Sequence, residues 1–209
     1  VIGEHGKGKL TRGRHGLSRE QVSAVQRARL LDAMARVVAE QGYVKTSVAA
    51  VLRRSGVGRE TFYELFTDKQ DCFLAAYDAV VERLGTATRQ AIGDTGTALQ
   101  RWSRGLASYL ETLAAEPELA RTFLIEVYAA GPVALAKRAT VQRLFVDAMI
   151  GILGVTAERD RFACEALVAA TSSLVTTRLG AGDSASLPEL REPLVSLARE
   201  LFGARLGER

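Results

Sequence analysis

Groups able to bind a polyanion crowd into residues 46–69, TSVAAVLRRSGVGRETFYELFTDK. Hydroxyls stand at Thr46, Ser47 and Thr61, a guanidinium at Arg59, a phenol at Tyr63 and an ammonium at Lys69, with the carboxylate of Glu60 among them. What these groups share is recognition of phosphate oxygens by cations and hydroxyls. Arg59 and Lys69 each fall in the first turn of an expected helix, where the positive macrodipole end disfavours a cation by several tenths of a kcal/mol. A phosphate bound there reverses that sign, because it meets both the backbone N–H groups and the side chain. The competing reading is an ordinary solvated cation, with Asp68, Asp71 and Glu60 offsetting part of the dipole cost. Thr46 and Ser47 are expected to cap a helix, alone or while also bonding a phosphate. Tyr63 is read as a phosphate contact or as a ring half-buried against the preceding helix. Glu60 can accept from a cytosine amino group in a major groove, or only stabilise its own helix start.

The elements that must position these groups follow from spacing. Val48, Val51 and Leu52 fall at i, i+3 and i+4, one helical face. Ser55-Gly56-Val57 supplies a turn in which Gly56 accepts the positive φ that a Cβ resists. Phe62 and Phe66 share one face of a second helix and leave Arg59, Glu60 and Tyr63 free of it. Helices this short are unstable alone and need a partner helix. Two of them across a tight turn form a helix-turn-helix, whose polar tip is sized for the DNA major groove.

Charge supports that reading once it is located. The chain of 209 residues carries a net +4, but residues 1–59 hold 12 Lys and Arg against 4 Asp and Glu. Residues 60–88 hold 2 against 6, and residues 89–209 balance at 14 each. A basic N-terminal third on a neutral body is the electrostatic footprint of a nucleic-acid reader.

On Gly42-Tyr43, Thr46-Ser47-Val48, Gly56-Val57, Thr61-Phe62-Tyr63, Phe66 and Lys69, with their spacing, the sequence resembles the TetR family, the tetracycline-repressor-like transcriptional regulators of bacteria. The match covers residues 20–85; beyond them only the helical pattern agrees. The resemblance implies an all-α protein, with an N-terminal three-helix helix-turn-helix DNA-binding head and a C-terminal helical ligand-binding and dimerisation domain. It implies DNA contacts at Thr46, Ser47, Gly58, Arg59, Glu60, Thr61, Tyr63 and Lys69, the last matching the family's phosphate-contacting lysine. Gly58 stands where the family usually has Ser or Thr, which removes a hydroxyl; Leu65 replaces a frequent His, and Glu60 a usual small residue. The implied partners are double-stranded palindromic operator DNA, a second copy of the chain, and a small-molecule effector that releases a repressor. A ligand-independent DNA-binding protein and a helical adaptor are the alternatives.

Along the chain, residues 1–17 read as a flexible basic leader that either tracks phosphates or is uninvolved, residues 18–88 as the DNA-binding domain and residues 97–209 as the regulatory domain. Ser18-Arg19-Glu20-Gln21 has the form of a capping box opening a helix to about Gln41, with Leu30, Ala33, Met34 and Val37 as its buried stripe. Thr67-Asp68 caps a fourth helix. Five further helices are expected near residues 97–115, 117–130, 132–153, 157–179 and 187–202. By resemblance the last two pair with a second subunit through Ala166, Ala169, Ala170, Ser173, Leu194, Leu197 and Leu201. Cavity candidates are Trp102, Tyr109, Phe123, Glu126, Tyr128 and Phe145. Glu126, on an apolar face, either fixes a ligand or pairs with Arg104 or Arg121.

The chain lacks the sequence marks of an enzyme. Its only histidines, His5 and His15, lie in the leader, and nucleophile-elbow, zincin, phosphate-loop and dinucleotide motifs are absent. No metal or cofactor is implied. Cys72 and Cys164 suit neither a disulfide framework nor a metal site, and read as inert core thiols rather than oxidant sensors. No apolar run reaches bilayer length and the leader lacks a hydrophobic region, so a cytoplasmic protein is expected.

Overall fold

The computed structural model describes residues 18–203, which form nine α-helices and two 3₁₀ segments with no strand. The basic leader, with His5 and His15, lies outside the described residues.

Helix α1 (Arg19–Gln41) opens on the expected capping box: Ser18 Oγ accepts from the Gln21 N–H at 3.2 Å and Gln21 Oε1 accepts from the Ser18 N–H at 2.8 Å. Leu30, Ala33, Met34 and Val37 are buried, and the helix ends at Gly42, whose φ of +78° suits glycine. Helices α2 (Val48–Ser55) and α3 (Arg59–Leu65) form the helix-turn-helix. The linking residues are 56–58, since Ser55 closes α2, and Gly56 adopts a left-handed φ of +68°. Phe62, fully buried, and Phe66 hold α3 against the core that α1 and α4 (Lys69–Ile92) supply. Asp68 caps α4 by accepting from the Asp71 N–H at 2.9 Å, while Asp71 accepts from the Thr67 N–H at 2.9 Å.

Thr97 and Gln100 make a second capping box at α5 (Ala98–Ala115). Arg104 reaches back from α5 to the carbonyls of Ala91, Ile92 and Thr95 and thereby caps the end of α4. Contact between these helices is close: a Cβ on Gly105 would lie 2.7 Å from Ile92 Cγ1. Two expectations are corrected in the body. The helix expected to run from Pro117 to about Ala130 stops as α6 (Pro117–Leu124) and rewinds as a 3₁₀ segment (Glu126–Ala130). In this segment the Glu126 carboxylate and the Ala130 carbonyl both accept hydrogen bonds from the head. Helices α7 (Pro132–Leu153) and α8 (Glu158–Gly180) match expectation within two residues. The last expected helix divides into a 3₁₀ segment (Ser184–Leu190), containing Pro188 with no N–H to give, and α9 (Arg191–Phe202).

Burial forms two apolar clusters. One joins the head to Phe123, Val127, Ala130 and Ala134 of the body; the other fills the space between α5, α7, α8 and α9. The head is therefore packed against the 126–130 segment rather than hung from α4 alone. Among the described residues no helix is long and apolar enough to cross a membrane.

Ser47, not Thr46, is the cap of α2; its Oγ accepts from the Ala50 N–H at 3.2 Å. Ser47→Ala is expected to cost about 1 kcal/mol. Thermal melting checks this as a fall in Tm of about 2–4 °C.

Candidate DNA-reading face and effector cavity

Helix α3 presents Arg59, Glu60 and Tyr63 to solvent, and Arg59 lies 5.5 Å from the Tyr63 ring centroid. Tyr63 is 47 % exposed, so its hydroxyl is free to reach outward rather than buried against α2. Gly58, also exposed, is the N-cap of α3 and gives it no side-chain hydrogen bond; Thr61 is half-buried. Ser47 is exposed at the start of α2. Thr46 is 3 % exposed and its hydroxyl donates to the Gly42 carbonyl at 2.8 Å, which corrects the expectation that it caps α2 and engages the group in holding the α1–α2 turn.

Lys69 is half-buried. Its Nζ donates to the Tyr43 carbonyl at 3.0 Å and sits 4.2 Å from the Tyr43 ring centroid. An ammonium has three N–H groups, so two remain for a phosphate. Of the eight residues read from the sequence, the fold pairs Arg59 with Tyr63 and sets Lys69 apart, against the α1–α2 turn. Sequence reading overlooked Lys45 and Arg53, both exposed and without a cation-neutralising partner among the described residues, whereas Arg54 is held by Glu40 at 2.5 Å.

The 126–130 segment is hooked onto this head twice. Glu126 Oε2 accepts from the Tyr43 N–H at 2.8 Å, and the Ala130 carbonyl accepts from Gln70 Nε2 at 2.5 Å. Gly42 permits the first hook, because even a Cβ there would stand 3.2 Å from the Glu126 carboxylate. Neither arginine considered for Glu126 is its partner: Arg104 caps α4, and Arg121 donates to the Leu179 carbonyl at the end of α8. Glu126 therefore leaves the set of cavity residues; its role is a joint between body and head.

Between α4, α5, α7 and α8 lies a mainly apolar cavity in which about 120 Å³ is open to the centre of a water molecule. Trp102, Tyr109 and Phe145 line it, with Leu106, Met149 and Ile152. Phe123 walls a smaller adjoining space of about 60 Å³, separated from the first by the edge-on pair Tyr109 and Phe145, whose rings are 5.6 Å apart. Tyr128 borders an outer, polar hollow of about 330 Å³ between α7 and α8.

Arg138 lines both the apolar cavity and the outer hollow. It donates to Ser172 Oγ at 3.0 Å and to Gln142 Oε1 at 3.5 Å, and it lies 5.2 Å from the Tyr128 ring centroid. Sequence reading missed Arg138, Gln142 and Ser172, since an arginine on a helix looks solvated until its neighbours are known. Burial pushes the phenols of Tyr77 and Tyr109 up to about 12, with Arg138 pulling the other way, so both stay neutral hydrogen-bond donors at ordinary pH. Burial likewise pushes the Cys72 thiol up to about 12 and raises that of Cys164, which keeps both as protonated, unreactive thiols.

Residues 30–76, from the middle of α1 into α4, match the model for bacterial regulatory proteins of the tetR family. Those residues carry that family's DNA-binding domain. The protein is a DNA-binding transcriptional regulator, and its helix-turn-helix is the family's reading element. The chain is 24% identical over 148 residues to the HTH-type transcriptional activator FasR of Mycolicibacterium smegmatis, covering 69% of the chain and 68% of the relative. It is 24% identical over 98 residues to the fatty acid metabolism regulator protein of Bacillus subtilis, spanning about half of each. Its fold resembles the fatty acid degradation regulator FadR from Bacillus halodurans with a TM-score of 0.74 at 20% identity, over 86% of this chain and 96% of that one. FadR from Bacillus subtilis, solved in complex with stearoyl-CoA, gives a TM-score of 0.73 at 20% identity, over 84% and 97%.

Proposed function

We propose that this regulator is a homodimeric repressor of a palindromic operator, released by an effector with a long apolar chain. The observation carrying the reading is the path from cavity to head. An apolar space in the body shares Arg138 with an outer hollow bordered by Tyr128, and the segment that carries Tyr128 is itself bonded to the α1–α2 turn and to α4. A ligand acts through this path only by its difference in affinity for two arrangements of the heads. The fatty acid regulators among its relatives, one bound to an acyl-CoA, support an acyl chain as the apolar part.

For DNA contacts we retain Ser47, Gly58, Arg59, Glu60, Thr61, Tyr63 and Lys69, and add Lys45 and Arg53. For the dimer, Phe162, Ala166, Ala169, Ala170, Ser173 and Leu174 of α8 and Leu197 and Leu201 of α9 are exposed at helical spacing, as an apolar face awaiting a partner is. Leu194 is dropped from that set because it is 3 % exposed in the chain's own core.

Selection of bound DNA from a random duplex pool, followed by salt titration of the winning site, tests the reading. A two-fold symmetric site whose affinity falls steeply with salt is the expected result. A reporter behind that site then gives the direction of regulation: deletion of the regulator raises expression under repression and lowers it under activation. Failure to enrich any symmetric site would overturn the operator reading.

A further inference from the structure

Seven residues of α7, Arg138, Val141, Gln142, Phe145, Ala148, Met149 and Ile152, line the cavity at i, i+3, i+4, i+7, i+10, i+11 and i+14. At 1.5 Å per residue these positions span about 21 Å of the helix axis, so the lining is drawn out along α7. Its chemistry is graded. The far part is walled by Met149, Ile152, Trp102 and Leu106, whereas the Arg138 part opens into the hollow bordered by the hydroxyls of Ser172, Ser173, Thr176 and Thr177.

Arg138 itself is incompletely satisfied. Its Nε is buried with no hydrogen-bond partner, and its partners among the described residues are an amide, a hydroxyl and an aromatic ring, none of them a carboxylate. A guanidinium placed against apolar walls without a counter-ion bears a desolvation cost that an incoming oxygen anion or carbonyl offsets. A cavity serving a purely apolar ligand gains nothing from such a group at its mouth.

We propose, building on the reading of the body as an effector domain, that the cavity takes an amphiphile tail-first, and that Arg138 with Ser172 selects its carboxyl-level head group, a carboxylate or the carbonyl of a thioester. The tail lies along α7 toward Ile152, and the polar remainder occupies the hollow between α7 and α8. Ala169 and Ser173 belong both to the rim of that hollow and to the proposed dimer face, so a second copy docked there roofs the head group.

Trp102 is the only tryptophan of the chain and lines the cavity, so its emission reports occupancy. The full chain is titrated with palmitate, palmitoyl-CoA and hexadecanol, which share a tail and differ in the head. At least tenfold tighter binding of the acid or the thioester than of the alcohol is expected; acid alone identifies a carboxylate head, and thioester alone a thioester carbonyl. Arg138→Gln should bring the three within about twofold of one another, while Arg138→Lys, which keeps the charge but not the fork, should retain part of the preference. Melting curves establish that each variant is folded. Equal affinity of wild-type protein for the alcohol, undiminished preference in Arg138→Gln, or no binding of any of the three would overturn the proposal. Operator binding measured on the same preparation separates that outcome from failure of the regulator reading.

Discussion

Arg59→Ala is expected to weaken operator binding by about 10- to 100-fold, the equivalent of about 1–3 kcal/mol for a bidentate base contact. Arg59 is exposed in the first turn of α3 and braced by the Tyr63 ring, so truncating it removes a reaching group without disturbing the Phe62 and Phe66 packing beneath. Fluorescence anisotropy of labelled operator over a range of salt separates the two kinds of contact. A base contact gives a loss confined to the cognate site, whereas a phosphate contact gives a loss common to all sequences and a salt slope shallower by about one. Lys69→Ala is expected to follow the phosphate pattern, with some loss of stability because Lys69 also bonds the Tyr43 carbonyl. Sedimentation should show an unchanged assembly state in both variants. Undiminished affinity in Arg59→Ala would remove α3 as the reading element.

The head was legible in the sequence because its signals are local. A glycine that must turn, a capping box and apolar residues at i, i+3 and i+4 constrain only their neighbours, and Ser18, Gly42, Gly56 and Asp68 do in the fold what their spacing implied. Thr46 and Ser47 show the limit of that resolution: adjacent hydroxyls are equivalent as text, and only the backbone turn decides which caps α2 and which turns inward. The body was legible as helices but not as a site. Trp102, Tyr109 and Phe145 could be named because large aromatic residues line cavities as readily as they fill cores. Arg138 could not, because its significance lies in Tyr128 and Ser172, brought beside it by the 126–130 segment and α8, and only Gln142 is its own i+4 neighbour. Helix breaks were missed for a related reason. The rewinding after Leu124 has no proline or glycine at its start, and it accompanies tertiary hydrogen bonds from the head, 83 and 60 residues away in sequence.

Those bonds make Glu126→Ala the second large effect. The Tyr43 N–H belongs to a residue 8 % exposed, and its acceptor is a carboxylate at 2.8 Å. Removing that acceptor strands a nearly buried donor, at a cost of about 1–3 kcal/mol. For a chain of this size Tm should fall by roughly 2–10 °C. Glu126→Gln keeps an oxygen in place and should recover most of the loss, which separates the hydrogen bond from simple loss of side-chain volume. A second consequence concerns communication. The 126–130 segment touches the head through Glu126 and Ala130, and its Tyr128 faces Arg138 at the cavity mouth. If ligand occupancy reaches the DNA through this joint, Glu126→Ala should bind effector and operator separately yet lose much of their mutual antagonism, typically about 1–3 kcal/mol of coupling. Combining it with Gln70→Ala, which cuts the other hook, should add little to that loss, because two ends of one joint are not independent. Operator titrations with and without saturating ligand measure the coupling directly. Wild-type antagonism in the double variant would place the route elsewhere, through the α4–α5 contact at Gly105 and Arg104, where body and head also meet along one continuous helix.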